Sequence, residues 1–255
     1  MIEHRTLAIN RPDDGVAIGV HLSFLSADLV ELVGTLGFRW LFLDAQRTPL
    51  DLSCCRELVR AADITNMYCL VRVAEISVPA IEGYLDAGVL GILAPNISSA
   101  AQARALVSAV KFSPEGTRGA AFRSRSARYG LTQSHADFCR AANHATFTAA
   151  LIECQSGLDE LEAIAAVPGL DYVSIGTNDL ALSLGMTAGA ADPRARALVD
   201  QAHARIKAIG KPQIAVVSDA EQAHAAIAVG ARLIAVSDAA LLATAGRSLL
   251  KVVGG

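Results

Sequence analysis

Two carboxylate residues, Glu153 and Asp179, each follow a short apolar run of this 255-residue chain. Segments 148–152 and 172–175 are predicted strands, with a helix over 157–166 between them. Strands joined in this way run parallel, so their carboxyl ends meet at the edge where α/β proteins keep their chemistry. Two carboxylates that converge there repel each other unless a cation lies between them. The pattern therefore predicts a hard divalent ion held by carboxylate, water and substrate oxygens.

An arginine and a glycine-opened turn belong to the same pattern. Arg72 ends another apolar run, either as a structural ion-pair partner or as an anion ligand, and the nearby carboxylates favour a substrate role. The turn Gly176–Asp179 offers backbone N–H groups to a small carboxylate. A 2-oxo acid fits this set, because its carboxylate and keto oxygen chelate an ion while the arginine steadies the keto oxygen. The ion then stabilises the enolate formed when the C3–C4 bond breaks or forms.

Each of these residues also has a purely structural interpretation. Glu153 alone is an ordinary strand-end acid, and Asp179 alone is a helix N-cap. Asp44 is expected to brace Arg47 or Arg72. His21 is as consistent with a histidine at the edge of the core as with a catalytic one. Two further acids, Asp219 and Asp238, each precede a helical pattern and are predicted N-caps.

Short continuous apolar runs recur eight times, as expected for strands that are buried on both faces. The runs cover 16–20, 40–43, 68–71, 90–94, 148–152, 172–175, 213–217 and 233–236. Helical patterns alternate with them, and the last one covers 239–252. This count and length predict a single TIM (β/α)8 barrel over residues 1–255. The alternative, a doubly wound sheet, usually has a GxGxxG motif after its first strand, and none follows Val20.

One connection, between the fourth and fifth strands, is about fifty residues long. Its segment 112–132 contains four arginines: Arg118, Arg123, Arg125 and Arg128. Residue by residue, a solvated basic loop is the expected structure. The functional alternative is a rim that attracts anions or a contact between subunits.

Composition excludes several classes of protein. The hydrophobic content of 53% provides a large core, and a net charge of −3 argues against nucleic acid or an anionic membrane as partner. No run of about 18 apolar residues predicts a membrane span. Five cysteines without a CxxC pair predict free thiols. The N-terminal residues 1–14 lack the apolar core of an export signal, so a cytoplasmic location is expected.

The chain resembles the metal-dependent (class II) pyruvate aldolases of the HpcH/HpaI type. The resemblance covers nearly the whole chain, from Ile18 to about Val252. It is carried by the segments GFRWLFLDAQRTP, LVRV, YLDAGVLGILAPNISSAAQARALVSAVKFSPEGTRG, LIE and YVSIGTNDLALSLGM. The separation of Glu153 and Asp179 also resembles the family's spacing.

The resemblance implies a TIM barrel with Mg, Mn or Co as the ion and, usually, pyruvate as the donor. It implies that Glu153 and Asp179 are the metal ligands and that Arg72 contacts the keto oxygen. Gly176 and the backbone of Thr177–Asn178 would hold the pyruvate carboxylate. Asp86 resembles a family acid that reaches a neighbouring subunit's site. The assemblies are commonly hexamers with the last helix exchanged between partners.

The chain departs from the family at one place in particular. Relatives usually read Asp-Gly-Glu-His after the second strand, whereas this chain reads Asp44-Ala45-Gln46-Arg47. The histidine belongs to the family's acid/base machinery, and arginine cannot act as a general base. Leu151 also replaces a residue that is often polar. We therefore expect an intact site for a metal and a 2-oxo acid with altered proton transfer.

Three functions are consistent with this pattern. The first is a metal-dependent aldolase that forms or cleaves a 4-hydroxy-2-oxo acid from pyruvate and an aldehyde. In it, Arg47 would bind an acceptor carboxylate, and His21 or a water on the metal would move the proton. The second is a related metal-dependent lyase or 2-oxo acid decarboxylase that does not need the histidine. The third is a catalytically silent 2-oxo acid-binding protein. A homo-oligomer, with the last helix in subunit contacts, is expected in each case.

Overall fold

The computed structural model describes residues 15–253, which form a closed barrel of eight parallel strands in chain order. The strands are β1 Ala17–His21, β2 Trp40–Asp44, β3 Tyr68–Arg72, β4 Gly91–Ala94, β5 Phe147–Ile152, β6 Tyr172–Ile175, β7 Gln213–Val217 and β8 Ala231–Ser237. The predicted TIM barrel is confirmed. Residues 1–14, on which the absence of an export signal was argued, lie outside the described part of the chain.

Helices surround the barrel and connect successive strands. They are α1 Ala27–Thr35, α2 Leu52–Ile64, α3 Val78–Ala87, α4 Ala100–Val110, α5 His135–Ala145, α6 Gln155–Asp159, α7 Leu161–Ala165, α8 Thr177–Ser183, α9 Pro193–Ala208, α10 Ala220–Ala228 and α11 Asp238–Leu250. The single helix predicted over 157–166 was wrong. Two short helices, α6 and α7, meet there at Glu160, whose backbone (φ −96°, ψ 11°) departs from the helical region.

Aromatic side chains fill the barrel near the amino ends of its strands. Trp40 and Tyr68 stack with ring centroids 6.4 Å apart, and Phe147 packs edge-on against Tyr68 at 6.0 Å and against Tyr172 at 5.6 Å. Phe42 lies higher in the same interior cluster. Because these rings fill the lower part of the barrel, a site can form only at its other end, where His21, Asp44 and Arg72 lie.

The long connection between β4 and β5 is more ordered than a solvated loop. Phe112, Ala127, Phe138 and Ala142 form a small core of their own. Arg118 is buried against it, with its guanidinium carbon 4.4 Å from the centre of the Phe112 ring. The prediction of a solvated basic loop is therefore wrong for Arg118, although Arg123 and Arg128 are exposed.

One flank of the barrel is poorly covered, and the last helix does not cover it. On β1, Ile18 is 43% exposed, an unusual value for a strand of a closed parallel barrel. The apolar face of α11 is also in solvent, with Leu242 67% and Leu249 73% exposed. Asp238 is the one buried residue of α11. No helix within residues 15–253 is long and apolar enough to cross a membrane.

Candidate active site

Three candidate residues lie at the last positions of adjacent strands. His21, Asp44 and Arg72 end β1, β2 and β3, and Asp44 pairs in register with Arg72. Glu153 follows β5 and Gly176 follows β6, directly after the paired residues Ile152 and Ile175. Each strand therefore delivers its residue to the carboxyl-end face, as the sequence predicted.

Asp44 is the centre of the hydrogen bonding on one side of this face. Its buried carboxylate accepts two hydrogen bonds from Arg72, one of them from Nε at 3.0 Å. It also accepts the backbone N–H groups of Gln46 at 3.0 Å and Arg47 at 3.2 Å. Burial alone would raise the pKa of Asp44, but its interactions with His21 and Arg72 hold that pKa well below its usual range. Asp44 is thus a permanent anion that braces Arg72.

Glu153 and Asp179 lie together on the other side of the face. Glu153 is 3% exposed and accepts a hydrogen bond from the backbone N–H of Asn96 at 3.0 Å. Burial raises the pKa of Glu153; the Asn96 N–H lowers it, and the neighbouring Asp179 raises it further. A Cβ at Gly176 would lie 2.6 Å from Glu153 Cγ, so the space for the glutamate depends on this glycine. Asp179 lies in the first turn of α8, 42% exposed at its side chain.

Arg47 donates its backbone N–H to Asp44, but its side chain does not pair with that carboxylate. Its side chain leaves Asp44 and reaches Asp179, with Nη2 3.4 Å from Oδ1. The guanidinium is 58% exposed and lies at the open end of the barrel. One cationic side chain therefore contacts the more exposed of the two carboxylates that were predicted to hold a metal.

His21 lies beside Asp44 inside the barrel. Its Nε2 is 3.9 Å from Asp44 Oδ2, and its ring centroid is 4.7 Å from that of Phe42. The guanidinium carbon of Arg72 lies 5.8 Å from the centre of the same Phe42 ring. His21 and Arg72 thus pack against one aromatic side chain, a relationship that the continuous buried run of β2 did not reveal.

The other predicted site residues lie at the start of α8 and near the end of α3. α8 begins at Thr177 with Gly176 as its N-cap, which leaves the first backbone N–H groups of the helix without partners inside it. The Asn178 side chain is turned away and accepts from Ala190 N at 2.9 Å. Asp86 lies near the end of α3, at the opposite end of the barrel, and pairs with Arg118 at 3.0 Å. The role of Asp86 in a neighbouring subunit's site stays a prediction.

The sequence missed two residues that shape the site, and it misassigned a third. Asn96, which follows β4, positions Glu153 through its backbone N–H. Its place just after a strand was the signal that could have identified it as a site residue. Phe42, as a buried strand residue, gave none. Asp238 is not the N-cap of α11, because Ser237 has that role. Instead Asp238 accepts the N–H groups of Ser23 at 2.8 Å and Phe24 at 3.0 Å. Asp219 does cap α10, as predicted.

This arrangement combines a pair of carboxylates, a fixed guanidinium and a helix start around one opening. A family model described as HpcH/HpaI aldolase/citrate lyase matches residues 17–244. The chain belongs to the HpcH/HpaI aldolase/citrate lyase family. The resemblance predicted from the sequence is confirmed, and with it the prediction of an aldolase-type carbon–carbon lyase.

Individual HpcH/HpaI relatives are similar over most of their length. A 2-dehydro-3,6-dideoxy-6-sulfogluconate aldolase of Pseudomonas putida is 36% identical over 195 residues, which cover 76% of this chain and 75% of the relative. A hydroxypyruvate/pyruvate aldolase of Sagittula stellata is 33% identical over 89% of each chain. Among solved structures, a family protein of Burkholderia cenocepacia superposes with a TM-score of 0.88 and 30% identity, covering 96% of this chain and 97% of that protein.

Proposed function

We propose that this HpcH/HpaI family member is a divalent-metal-dependent aldolase that joins pyruvate, or a similar 2-oxo acid, to an aldehyde and catalyses the reverse cleavage. The observation that carries this proposal is the juxtaposition of Glu153 and Asp179 across the face from Arg72. A buried glutamate beside a second carboxylate is costly without a cation.

The residues present fit a hard divalent ion. Glu153 and Asp179 supply carboxylate oxygens, and water and substrate oxygens would complete the all-oxygen coordination that Mg²⁺ and similar ions prefer. Mg, Mn and Co are the ions that the family resemblance implies. When bound, the ion would supply Lewis-acid stabilisation of negative charge on a 2-oxo acid.

The protein's own residues perform the remaining steps. Arg72, fixed by its two bonds to Asp44, points its guanidinium at the keto oxygen and stabilises the negative charge of the enolate. The first backbone N–H groups of α8, at Thr177 and Asn178, bind the carboxylate of the 2-oxo acid. The enolate carbon C3 then attacks the aldehyde carbon. In cleavage, the C3–C4 electron pair returns to the enolate and the aldehyde leaves.

Arg47 directs the choice of aldehyde in this proposal. Its guanidinium is exposed at the mouth of the site and has the planar geometry that binds carboxylates and sulfonates. The Pseudomonas putida relative is named for a substrate that carries a sulfo group, an anion of this kind. We therefore expect acceptors that bear a second negative charge.

A second candidate function is a 2-oxo acid-binding protein without aldolase activity. The contact between Arg47 and Asp179 favours it, because the guanidinium competes with a cation for the Asp179 carboxylate. Such a protein would bind pyruvate without exchanging the hydrogens of its methyl group.

The exposed face of α11 supports a homo-oligomer, and the family resemblance implies a hexamer. We propose that α11 packs on a neighbouring barrel and that a neighbour's last helix covers the flank around Ile18. The five cysteines are free, as predicted; a cytoplasmic location stays a prediction.

The dependence on a metal is tested by chelation. Aldol turnover of the purified protein should stop in excess chelator and return on addition of Mg, Mn or Co. The variants Glu153→Gln and Asp179→Asn should lose both the activity and the calorimetric binding of Mn²⁺. Full turnover in chelator, together with a covalent adduct trapped by borohydride, would show a lysine Schiff-base mechanism instead.

A further inference from the structure

The proposed aldol reaction needs a side chain that exchanges a proton with the oxygen on C4. This oxygen becomes an alkoxide in the addition direction, and its hydroxyl must lose a proton in cleavage. General acid–base catalysis of such a step is typically worth about 10²–10⁴-fold. The arginine at position 47 cannot provide it, because arginine keeps its proton in proteins.

The other ionisable groups on the face are unsuited to this task. Arg72 is excluded for the same reason as Arg47. Asp44 stays an anion at neutral pH, since its pKa lies far below the usual range. Glu153 and Asp179 are the ligands proposed for the ion. Among the histidines in residues 15–253, four lie on the outer helices and one, His21, ends a barrel strand.

The geometry of His21 suits a proton carrier. Its Nε2 has no exposed surface and no hydrogen-bond partner, and it faces the Asp44 carboxylate at 3.9 Å. This distance is too long for a hydrogen bond, but a small movement of the ring would let Nε2–H donate to the carboxylate and fix the ring orientation. The side chain as a whole is 23% exposed although Nε2 is covered, so solvent reaches other atoms of this residue.

The surroundings of His21 hold the ring next to the reacting atoms. It packs on Phe42, which also carries the guanidinium of Arg72. β1 is paired on both sides at His21, with Phe42 of β2 and Ser237 of β8. The backbone just after it is fixed by the buried Asp238, which accepts the N–H groups of Ser23 and Phe24.

We propose that His21, held by Asp44, is the acid/base residue of the C4 oxygen in this protein. In cleavage, the imidazole accepts the proton of the C4 hydroxyl, the C3–C4 pair moves to the enolate, and the aldehyde is released. C3 then takes a proton from water, and the imidazolium returns its proton to water. In the addition direction, a methyl proton of pyruvate passes to water as the enolate forms, C3 attacks the aldehyde carbon, and the imidazolium protonates the resulting alkoxide. The imidazole then takes up a proton from water. This role rests on the proposed aldolase function.

Two variants test the role of His21, each with two readouts. His21→Gln keeps an amide donor that can face Asp44 but cannot carry the proton; His21→Ala leaves space for added imidazole. The readouts are addition of pyruvate to glycolaldehyde and deuterium exchange at the pyruvate methyl group, which forms the enolate without a C4 oxygen. His224→Gln, on the exposed face of α10, is the matched control.

We expect His21→Gln to lower kcat for addition about 100-fold or more with the methyl exchange unchanged. Added imidazole should restore addition in His21→Ala in proportion to its concentration, and the control should behave as wild type. Unchanged addition in His21→Gln, equal loss of exchange and addition, or absence of rescue would overturn the role of His21. Absence of exchange in the wild-type protein would overturn the aldolase function, and this role with it.

Discussion

Arg72 and Asp44 are joined by two side-chain hydrogen bonds, and the function of the pair is open to direct test. If Arg72 stabilises the enolate oxygen, Arg72→Ala should lower kcat by about 100-fold or more, as loss of an oxyanion donor typically does. The barrel should stay folded, although its thermal midpoint should fall, because the buried Asp44 carboxylate loses its cationic partner.

Steady-state kinetics with Arg60→Ala as control would check this. Arg60 lies on α2, exposed and paired with Glu57. A wild-type kcat in Arg72→Ala would show that the arginine only supports Asp44.

Arg47 should determine which aldehydes the protein prefers as acceptors. The change Arg47→His should raise kcat/KM for a neutral aldehyde such as glycolaldehyde, because the imidazole can carry a proton. It should lower the preference for an aldehyde acid such as succinic semialdehyde, because the fixed cation is lost. The ratio of the two kcat/KM values is the measurement. Arg123→His, an exposed arginine of the long connection, is the control, and an unchanged ratio would show that Arg47 does not read the acceptor.

Some contacts of the site residues could be predicted from the sequence, and others could not. The sequence predicted that Asp44 braces Arg47 or Arg72 without choosing between them, and the side-chain partner is Arg72. The contact between Arg47 and Asp179 was not predictable, because it joins residues 132 positions apart through flexible side chains. Asp238 was misassigned because an aspartate before a helix usually caps it. Here the serine one position earlier took that place and freed the carboxylate for the β1 loop.

At the scale of secondary-structure elements, the junction of β6 and α8 determines whether Glu153 keeps its place. A methyl group added at Gly176 would meet Glu153 Cγ and Oε1, at 2.6 Å and 2.8 Å. Gly176→Ala should therefore displace the glutamate and weaken Mn²⁺ binding by a factor of about 10 or more, the loss that perturbing residues around a metal site typically causes.

Calorimetry with Mn²⁺ measures the effect of Gly176→Ala. Gly15→Ala is the control, because nothing lies within 4 Å of a Cβ there. Equal affinity in Gly176→Ala and wild type would show that Glu153 is not a ligand of the ion, or that the chain yields easily at this junction.

The elements themselves were largely predictable, for a physical reason. Parallel strands buried on both faces read as continuous apolar runs, so all eight were recognised, within one or two residues at most ends. The pair α6 and α7 was merged, because its apolar stripe continues across Glu160 while the backbone breaks there. The long connection was mistaken for a solvated loop because Asp86, the ion-pair partner of Arg118, lies on α3, and no local pattern in the sequence links the two residues.

At the scale of the whole molecule, α11 should hold the assembly together. Leu242 and Leu249 are exposed in the single chain, so replacing both with Glu should leave the barrel folded and separate the subunits. Light scattering would show a homo-oligomer for the wild type and a smaller species for the variant. Ile64→Glu, at the exposed end of α2, is the control. A monomeric wild type would contradict the proposed assembly.

Deuterium exchange shows whether this chain uses a divalent ion to form the enolate of a 2-oxo acid, as we claim. Pyruvate in deuterated water is followed by proton NMR with the protein and Mg, Mn or Co, before any aldehyde is chosen. We predict that the methyl signal decays with the wild-type protein, that chelator stops the decay, and that Glu153→Gln does not support it. Tight, metal-dependent binding of pyruvate without loss of the methyl signal would contradict the claim and identify the protein as a silent 2-oxo acid binder.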